Sequence, residues 1–175
     1  MKKPVIVYPD KRLKSVSKEV TVFDAALHQL LDDMYDTMME SNGIGLAAIQ
    51  IAVSKRVLIL CIPDEEGEQT HDNLLEVINP KLSNQQGTTV YQEGCLSVPN
   101  FYEDVERYEK LTLNYQDRHG NEKSLEADGL LSVAVQHEID HLDGKLFIEK
   151  LSYIRRKKFD KEYKKLLKAK KKEAL

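Results

Sequence analysis

Two of the five histidines in this chain of 175 residues, His137 and His141, stand four positions apart in the stretch QHEIDHLDG. Four residues advance an α-helix by slightly more than one turn, so both imidazoles project from the same face. Glu138 lies beside them, where a carboxylate can reach a water molecule on a shared metal ion. The spacing therefore predicts a metal site with two histidine ligands and a neighbouring acid-base group.

A catalytic metal site of this kind uses three protein ligands and keeps one position open for water. Cys95, in the stretch EGCLSVP, is the best candidate for the third ligand. Thiolate binds divalent transition metals strongly, and Gly94 before it allows close approach of the backbone. The remaining histidines are isolated from one another in a helix face, a loop and a turn: His28, His71 and His119.

Two alternatives to a catalytic site with Cys95 as third ligand remain open from the sequence alone. Glu162 lies 21 positions beyond His141 and would, as third ligand, make the chain a zincin-like endopeptidase. In the other alternative the metal is purely structural, which requires a closed fourth position, and no fourth ligand is evident nearby. The zincin-like reading predicts cleavage of internal peptide bonds and no effect of losing Cys95.

Local patterns predict the elements that must position these residues. Asp24 is a helix cap, and the leucines and methionines after it recur at three- or four-residue spacing over 25–41. RVLILCIP (56–63) predicts a buried strand containing Cys61. LLEVINPKL predicts a second strand that stops at Asn79-Pro80.

The second half of the chain shows a hairpin followed by two helices. LTLNYQ and NEKSLEAD flank a predicted turn at 117–120. A helical period begins at Asp128, carries the two histidines and ends at Gly144. Ser152 is the predicted cap of a last helix. Strands precede these helices, so the sequence predicts an α+β protein with mostly antiparallel sheets, and its length fits one domain over 1–175.

Charge is distributed unevenly along the chain. The net charge is −3, yet from Arg155 onward eleven Lys or Arg face three Asp or Glu. This basic C-terminal helix or tail, from about residue 152, predicts an anionic partner. The apolar run in MKKPVIVYPD is too short for a signal peptide, and no stretch approaches membrane-spanning length. We therefore expect a cytoplasmic protein with no membrane contact.

Three segments in this order resemble the peptide deformylase family: GIGLAAIQ (43–50), EGCLS (93–97) and QHEIDHLDG. The resemblance extends to about Ile154 and leaves the basic tail outside. It implies sheets enclosing a central helix that carries the HExxH motif. The implied activity is hydrolytic removal of the N-formyl group from the formyl-methionine of newly synthesised proteins, with release of formate.

The resemblance also implies the roles of the site residues. Cys95, His137 and His141 are expected to bind one divalent ion, Fe²⁺ physiologically and Zn²⁺, Ni²⁺ or Co²⁺ in isolated protein. Metal-bound water is expected to attack the formyl carbon, with Glu138 as general base and then general acid. Oxyanion donors are expected from the Gln50 amide and the Leu96 backbone N–H.

Further residues are expected to shape the substrate site and to support it. Expected substrate-binding residues are Ile44, Gly45, Tyr91, Glu93, Leu130, Val133 and Ala134, of which the last three precede His137 by one and two turns. An Arg107–Asp140 pair is expected to hold the helix that carries the two histidines in place. Expected partners are formyl-methionyl nascent chains and, as for the C-terminal helix of bacterial family members, the ribosome. No sequence-specific nucleic-acid binding is expected.

Overall fold

The structure, a computed structural model, describes residues 1–174, over which it has three α-helices and seven β-strands. The helices are α1 (Ala25–Glu40), α2 (Gly129–Leu142) and α3 (Tyr153–Glu173). The strands are β1 (Gly45–Ala47), β2 (Val57–Cys61), β3 (Leu74–Gln86), β4 (Thr89–Cys95), β5 (Val98–Arg107), β6 (Lys110–Gln116) and β7 (Glu122–Asp128). Short 3₁₀ turns cover Lys11–Lys14, Ala48–Ile51, His71–Asn73 and Phe147–Lys150.

The strands form two antiparallel sheets. One has five strands in the order β1-β2-β3-β6-β7, and the other is the β4–β5 ribbon. The predicted α+β class with mostly antiparallel sheets is therefore confirmed. None of the helices within 1–174 is long and apolar enough to cross a membrane.

Strand β2 explains how two helices come to lie on opposite faces of the larger sheet. All five of its residues are buried, and successive side chains point to opposite faces. Val57 and Ile59 pack in the cluster that includes the apolar face of α1. Leu58 and Leu60 pack in the cluster that includes Val135 of α2. Helix α2 is thus held against a sheet that is itself buried on both sides.

The predicted ends of the helices are confirmed. The Asp24 side chain accepts a hydrogen bond from Leu27 N, and the Ser152 side chain accepts one from Arg155 N. Gly144 follows α2 with φ +75°, a conformation that favours glycine. The predicted hairpin turn joins β6 to β7, and Gly120 N donates to Asp117 O across it.

The predicted stop of the second strand at Asn79-Pro80 is wrong, because β3 continues to Gln86. A register shift between Ile78 and Lys81 lets the strand pass the proline, which has no N–H to offer the ladder. Asn79 adopts φ +52°, and its side chain bonds both N and O of Val20 at 2.8 Å. A bulge supported by a side chain therefore replaces the expected strand end.

The C-terminal helix packs on the body through an aromatic cluster. Phe159 and Tyr163 are the buried residues of α3, and both rings contact Tyr8 and Phe101. The Tyr163 hydroxyl also donates to the Tyr8 carbonyl. Phe101 belongs to β5 and directly precedes Tyr102, so these contacts hold α3 beside β5.

Candidate active site

Helix α2 and strand β4 bring three metal-ligand side chains together. His137 and His141 lie one turn apart on α2, with ring centroids 5.0 Å apart and with 8% and 1% of their surfaces exposed. Cys95 Sγ lies 3.4 Å from Nε2 of His141. The ligand atoms of all three residues lie within 4.8 Å of one another. The structure thus brings together the three residues expected to bind metal.

An irregularity in the β4–β5 ribbon places Cys95 opposite α2. The pairing is regular up to Glu93 and shifts before Cys95, which pairs with Val98. Such bulges redirect a side chain next to active sites. Gly94 sits at the shift, and a Cβ atom there would lie 2.5 Å from the Tyr102 ring. A side chain at position 94 would therefore force the exposed Tyr102 ring to move.

A buried carboxylate orients the first imidazole. Glu93 Oε1 lies 2.8 Å from Nδ1 of His137, which leaves Nε2 of that ring to face the thiol. Arg107 donates to both oxygens of Glu93 at 2.8 Å and to Asp140 at 2.6 Å. Burial by itself raises the pKa of Glu93, but the hydrogen bonds from Arg107 and His137 outweigh it and hold the pKa below its ordinary value.

This network engages the whole carboxylate of Glu93, which was expected to bind substrate. Glu93 lines the cavity, but it is 5% exposed, and both carboxylate oxygens are engaged by Arg107 and His137. We therefore group it with Arg107 and Asp140 as a positioning residue rather than a substrate contact. The expected contact between Arg107 and Asp140 is present, and the Arg107 side chain is 2% exposed.

The electrostatics of the cluster fit a bound cation. Burial by itself lowers the pKa of His137, but the hydrogen bonds to Cys95 and Glu93 outweigh it, and the pKa lies well above its ordinary value. The site therefore favours positive charge at this point, which a divalent cation supplies in place of a proton. Burial holds the pKa of His141 well below its ordinary value, so that ring is neutral, as a ligand must be.

The donor set also fits a transition metal. One thiolate and two imidazoles suit iron, nickel, cobalt and zinc and do not suit magnesium or calcium. Glu162, the alternative third ligand, lies on α3 and lines a separate hollow of about 270 Å³ between α3 and β5. Among residues 1–174, the third side chain at the histidine pair is Cys95.

Glu138 points into the same cavity as the metal ligands. It is 5% exposed, and its Oε2 has no hydrogen-bond partner among the described residues. Burial raises the pKa of Glu138 to about 7, which suits a group that takes and returns a proton near neutral pH. Its other oxygen lies 2.8 Å from where a Cβ on Gly45 would stand, so the missing side chain at 45 makes room for the carboxylate.

Gln50 is held rigidly beside Cys95. Its side-chain oxygen accepts from Ala47 N at 2.9 Å, and its Nε2 donates to Ser97 Oγ at 3.1 Å and approaches Cys95 Sγ at 3.6 Å. Ser97 is fully buried and was missed from the sequence as a functional residue. The only signal for it was its place inside the EGCLS segment.

A second unanticipated residue fixes α2 against the sheets. Gln136, directly before His137, accepts from Tyr108 N at 3.0 Å and donates to Tyr108 O at 2.9 Å. Ser132 Oγ donates to the same carbonyl at 2.9 Å. These bonds tie the histidine-bearing turn of α2 to the connection between β5 and β6.

The cavity has a volume of about 410 Å³ and one apolar wall. Leu130, Val133 and Ala134 of α2 form part of that wall, while Ile44, directly before β1, and Tyr91 of β4 line the cavity from other sides. The other expected residues that line it are Gly45, Gln50, Glu93, Cys95, Leu96, His137 and Glu138. His141, Arg107 and Asp140 support it from behind. Phe101 and Tyr102 also line it.

A thiol, two imidazoles and a buried carboxylate around one cavity, on a helix packed between antiparallel sheets, define a metal-dependent hydrolase. A sequence model of the polypeptide deformylase family matches residues 2–157. The chain belongs to this family.

Individual relatives agree with this assignment. The chain is 58% identical to a peptide deformylase of Nautilia profundicola over 96% of this chain and 97% of that one. It is 56% identical to a peptide deformylase of Helicobacter pylori over 97% of each chain. A crystal structure of a peptide deformylase from Legionella pneumophila superposes with a TM-score of 0.87 at 37% identity, covering 97% of this chain and 98% of that one.

Proposed function

We propose that the chain hydrolyses the formamide bond of N-formyl-methionyl peptides, releasing formate and a free amino terminus in the cytoplasm, where translation supplies such peptides. The observation that carries this proposal is the position of Glu138. Its unpartnered carboxylate shares one cavity with Cys95 and His137, within a family whose relatives are named peptide deformylases.

Cys95, His137 and His141 hold one divalent ion, and Fe²⁺ is the ion we propose for the cell. Zn²⁺, Ni²⁺ and Co²⁺ fit the same donors in isolated protein. When bound, the ion supplies Lewis acidity and lowers the pKa of water. Glu93 keeps the proton of His137 on Nδ1, so that Nε2 is free to bind.

Glu138 handles the proton in the proposed reaction. Its carboxylate removes a proton from the attacking water as the C–O bond to the formyl carbon forms. The same proton then passes to the departing nitrogen as the C–N bond breaks, and the products are formate and an amine. A pKa of about 7 allows both transfers near neutral pH.

Gln50 and the Leu96 backbone N–H are the proposed donors to the developing oxyanion. Gln50 is buried, and its carboxamide is fixed by Ala47 and Ser97, so it needs little reorganisation when charge develops. The hydrogen that Nε2 now directs toward Cys95 is the one available to the substrate oxygen.

The cavity explains the proposed preference for methionine. Leu130, Val133 and Ala134 offer an apolar surface to the first side chain. Ile44 and Gly45 stand at the start of β1, which is the edge strand of the larger sheet. An extended peptide can add to such an edge through backbone hydrogen bonds.

Formate release from formyl-Met-Ala-Ser, measured on protein purified without oxygen and loaded with Fe²⁺, tests the proposal. We expect formate and Met-Ala-Ser in equal amounts. Cys95→Ala is expected to lose metal and activity together. Cleavage of internal peptide bonds without formate would establish the zincin-like alternative instead, and full formate release by Cys95→Ala would remove Cys95 from the proposed ligands.

We further propose that α3 docks on an anionic surface, which for this substrate is the ribosome. Its exposed residues are mainly lysines, and aromatic contacts of Phe159 and Tyr163 fix it to the body. Attraction between lysine and phosphate, with counterion release, would drive the contact.

A further inference from the structure

Strand β1 presents a free edge to the cavity. It pairs with β2 on one side, and no strand pairs with its other side within residues 1–174. Its first residue, Gly45, and the three residues before it line the cavity. An edge strand offers unpaired N–H and C=O groups to an extended peptide, so the position of this backbone matters for substrate binding.

The backbone pairing that holds this edge ends early. Gly45 pairs with Leu60, and the last backbone hydrogen bond runs from Cys61 N to Ile44 O at 2.8 Å. Before Ile44, the chain turns through Asn42, which has φ +57°. Asn42 N and Gly43 N donate to carbonyls at the end of α1, at 3.1 Å and 2.9 Å, so the backbone bonds of these two residues hold the segment to α1 and not to β2.

The Gln69 side chain links this segment to β2 from the loop between β2 and β3. Its Nε2 donates to Gly43 O at 3.0 Å and to Cys61 O at 2.8 Å. A primary amide has two hydrogens, and both are used here. Gln69 therefore bridges the ends of β1 and β2 and extends the hydrogen bonding between these two strands by one link.

The loop that carries Gln69 is itself fixed. The Cys61 thiol donates to Thr70 O at 3.4 Å, and burial raises the pKa of Cys61, so the thiol stays protonated. Asp64 Oδ1 accepts from the backbone N–H groups of Glu66 and Glu68 at 2.9 Å and closes the exposed part of the loop. Gln69 is the half-buried member of an otherwise exposed stretch.

We infer that Gln69 is a positioning residue for substrate binding, because it holds the Gly43 carbonyl and hence the β1 edge in register with β2. The inference rests on the proposed function, since the peptide that uses this edge is the formyl-methionyl substrate. The two hydrogen bonds of the Gln69 side chain reach neither Cys95 nor α2. Its role is therefore in the binding of the peptide and not in the chemical step.

Gln69→Glu tests this inference with a minimal change of shape. Glutamate has the same length but no N–H, and its charge repels both carbonyl oxygens. For formyl-Met-Ala-Ser we expect KM to rise about tenfold, while kcat stays within about twofold. Gln85→Glu is the matched control, because Gln85 is an exposed glutamine of β3 and the charge change is the same. We expect it to leave KM unchanged.

Gln69→Leu separates the lost hydrogen bonds from the added charge, and we expect KM to rise in this variant as well. Amide hydrogen exchange of residues 42–46 gives a readout that does not depend on activity, and we expect faster exchange there with α2 unchanged. An unchanged KM in folded Gln69→Leu, or exchange at 42–46 equal to that of the unmodified chain, overturns the inference.

A general loss of thermal stability with parallel falls in kcat and kcat/KM would also overturn it. If the unmodified chain releases no formate, the proposed function fails. The exchange measurement still decides whether Gln69 holds the edge.

Discussion

Glu93 Oε1 accepts a hydrogen bond from Nδ1 of His137 across 2.8 Å, and the two residues lie 44 positions apart in the chain. The bond fixes the tautomer of the imidazole and directs Nε2 toward Cys95. Because Arg107 holds both oxygens of the same carboxylate, the ring is oriented by a group that cannot turn away.

Glu93→Gln is expected to lower metal affinity about 10- to 100-fold, since it removes the charge that raises the basicity of His137 and sets an N–H₂ group against Arg107. Competition with a chelator of known affinity measures the effect. Glu106→Gln, at an exposed position of β5, is the control and should bind metal as the unmodified chain does. Equal affinity in both variants would remove Glu93 from the support of the site.

Glu138→Gln keeps the size of the side chain and removes the base. We expect metal content and melting temperature close to those of the unmodified chain, with kcat reduced at least about 10²-fold. Metal analysis and formate release on the same preparation check both points. Near-native turnover would assign the proton transfer to another group.

Arg107→Met is expected to destabilise the fold by about 3–5 kcal/mol, because it removes the buried cation that pairs with Glu93 and Asp140 and leaves the Glu93 carboxylate with His137 as its one partner. Urea unfolding monitored by circular dichroism measures the loss. Arg12→Met breaks the exposed ion pair with Asp10 and should move the unfolding midpoint very little. Similar small shifts in both variants would show that the buried network contributes little to stability.

Ala134→Phe tests the proposed methionine pocket. Ala134 is 7% exposed on the cavity wall, and a phenyl ring there fills space that the substrate side chain would occupy. We expect a raised KM for formyl-Met-Ala-Ser or no activity, with metal content retained. Ala26→Phe, on the exposed side of α1, serves as the control. An unaffected KM in Ala134→Phe would place the pocket elsewhere.

Co-sedimentation with ribosomes at several salt concentrations tests docking by α3. The whole chain is expected to bind with an affinity that falls steeply with salt. A chain ending at Lys165 should bind more weakly and turn over formyl-Met-Ala-Ser at the same rate. If the shortened chain sediments equally well, the lysines of α3 only keep that helix solvated.

Local signals in the sequence were sufficient for the helices. Asp24, Ser152 and Gly144 act within a few residues of themselves, and each marks the helix end that the structure shows. The predicted second strand ends too early, because proline normally ends a strand. In the structure the bulge at Asn79, which is hydrogen-bonded to the distant Val20, permits β3 to continue.

Contacts between distant segments limit how much of the candidate site can be predicted from the sequence. The bond from Gln50 to Ser97 spans 47 positions, and the bond from Gln69 to Gly43 spans 26. Neither has a local pattern, because such a bond depends on how the sheets pack and not on neighbouring residues. The family resemblance named Gln50 through its segment, while Gln69 lies in a loop that carries no motif.

The bulge that turns Cys95 toward α2 would also give the proposed metal ion a structural role. The three residues proposed as its ligands lie on a ribbon and a helix, with Cys95 and His141 46 positions apart. An ion held by both therefore acts as a cross-link, which closes a long loop and removes conformational freedom from the unfolded chain much as a disulfide does. The unfolded chain does not hold the three side chains together, so the ion favours the state in which ribbon and helix are docked. Binding of the ion is therefore expected to complete the active site and to stabilise the contact between ribbon and helix at the same time.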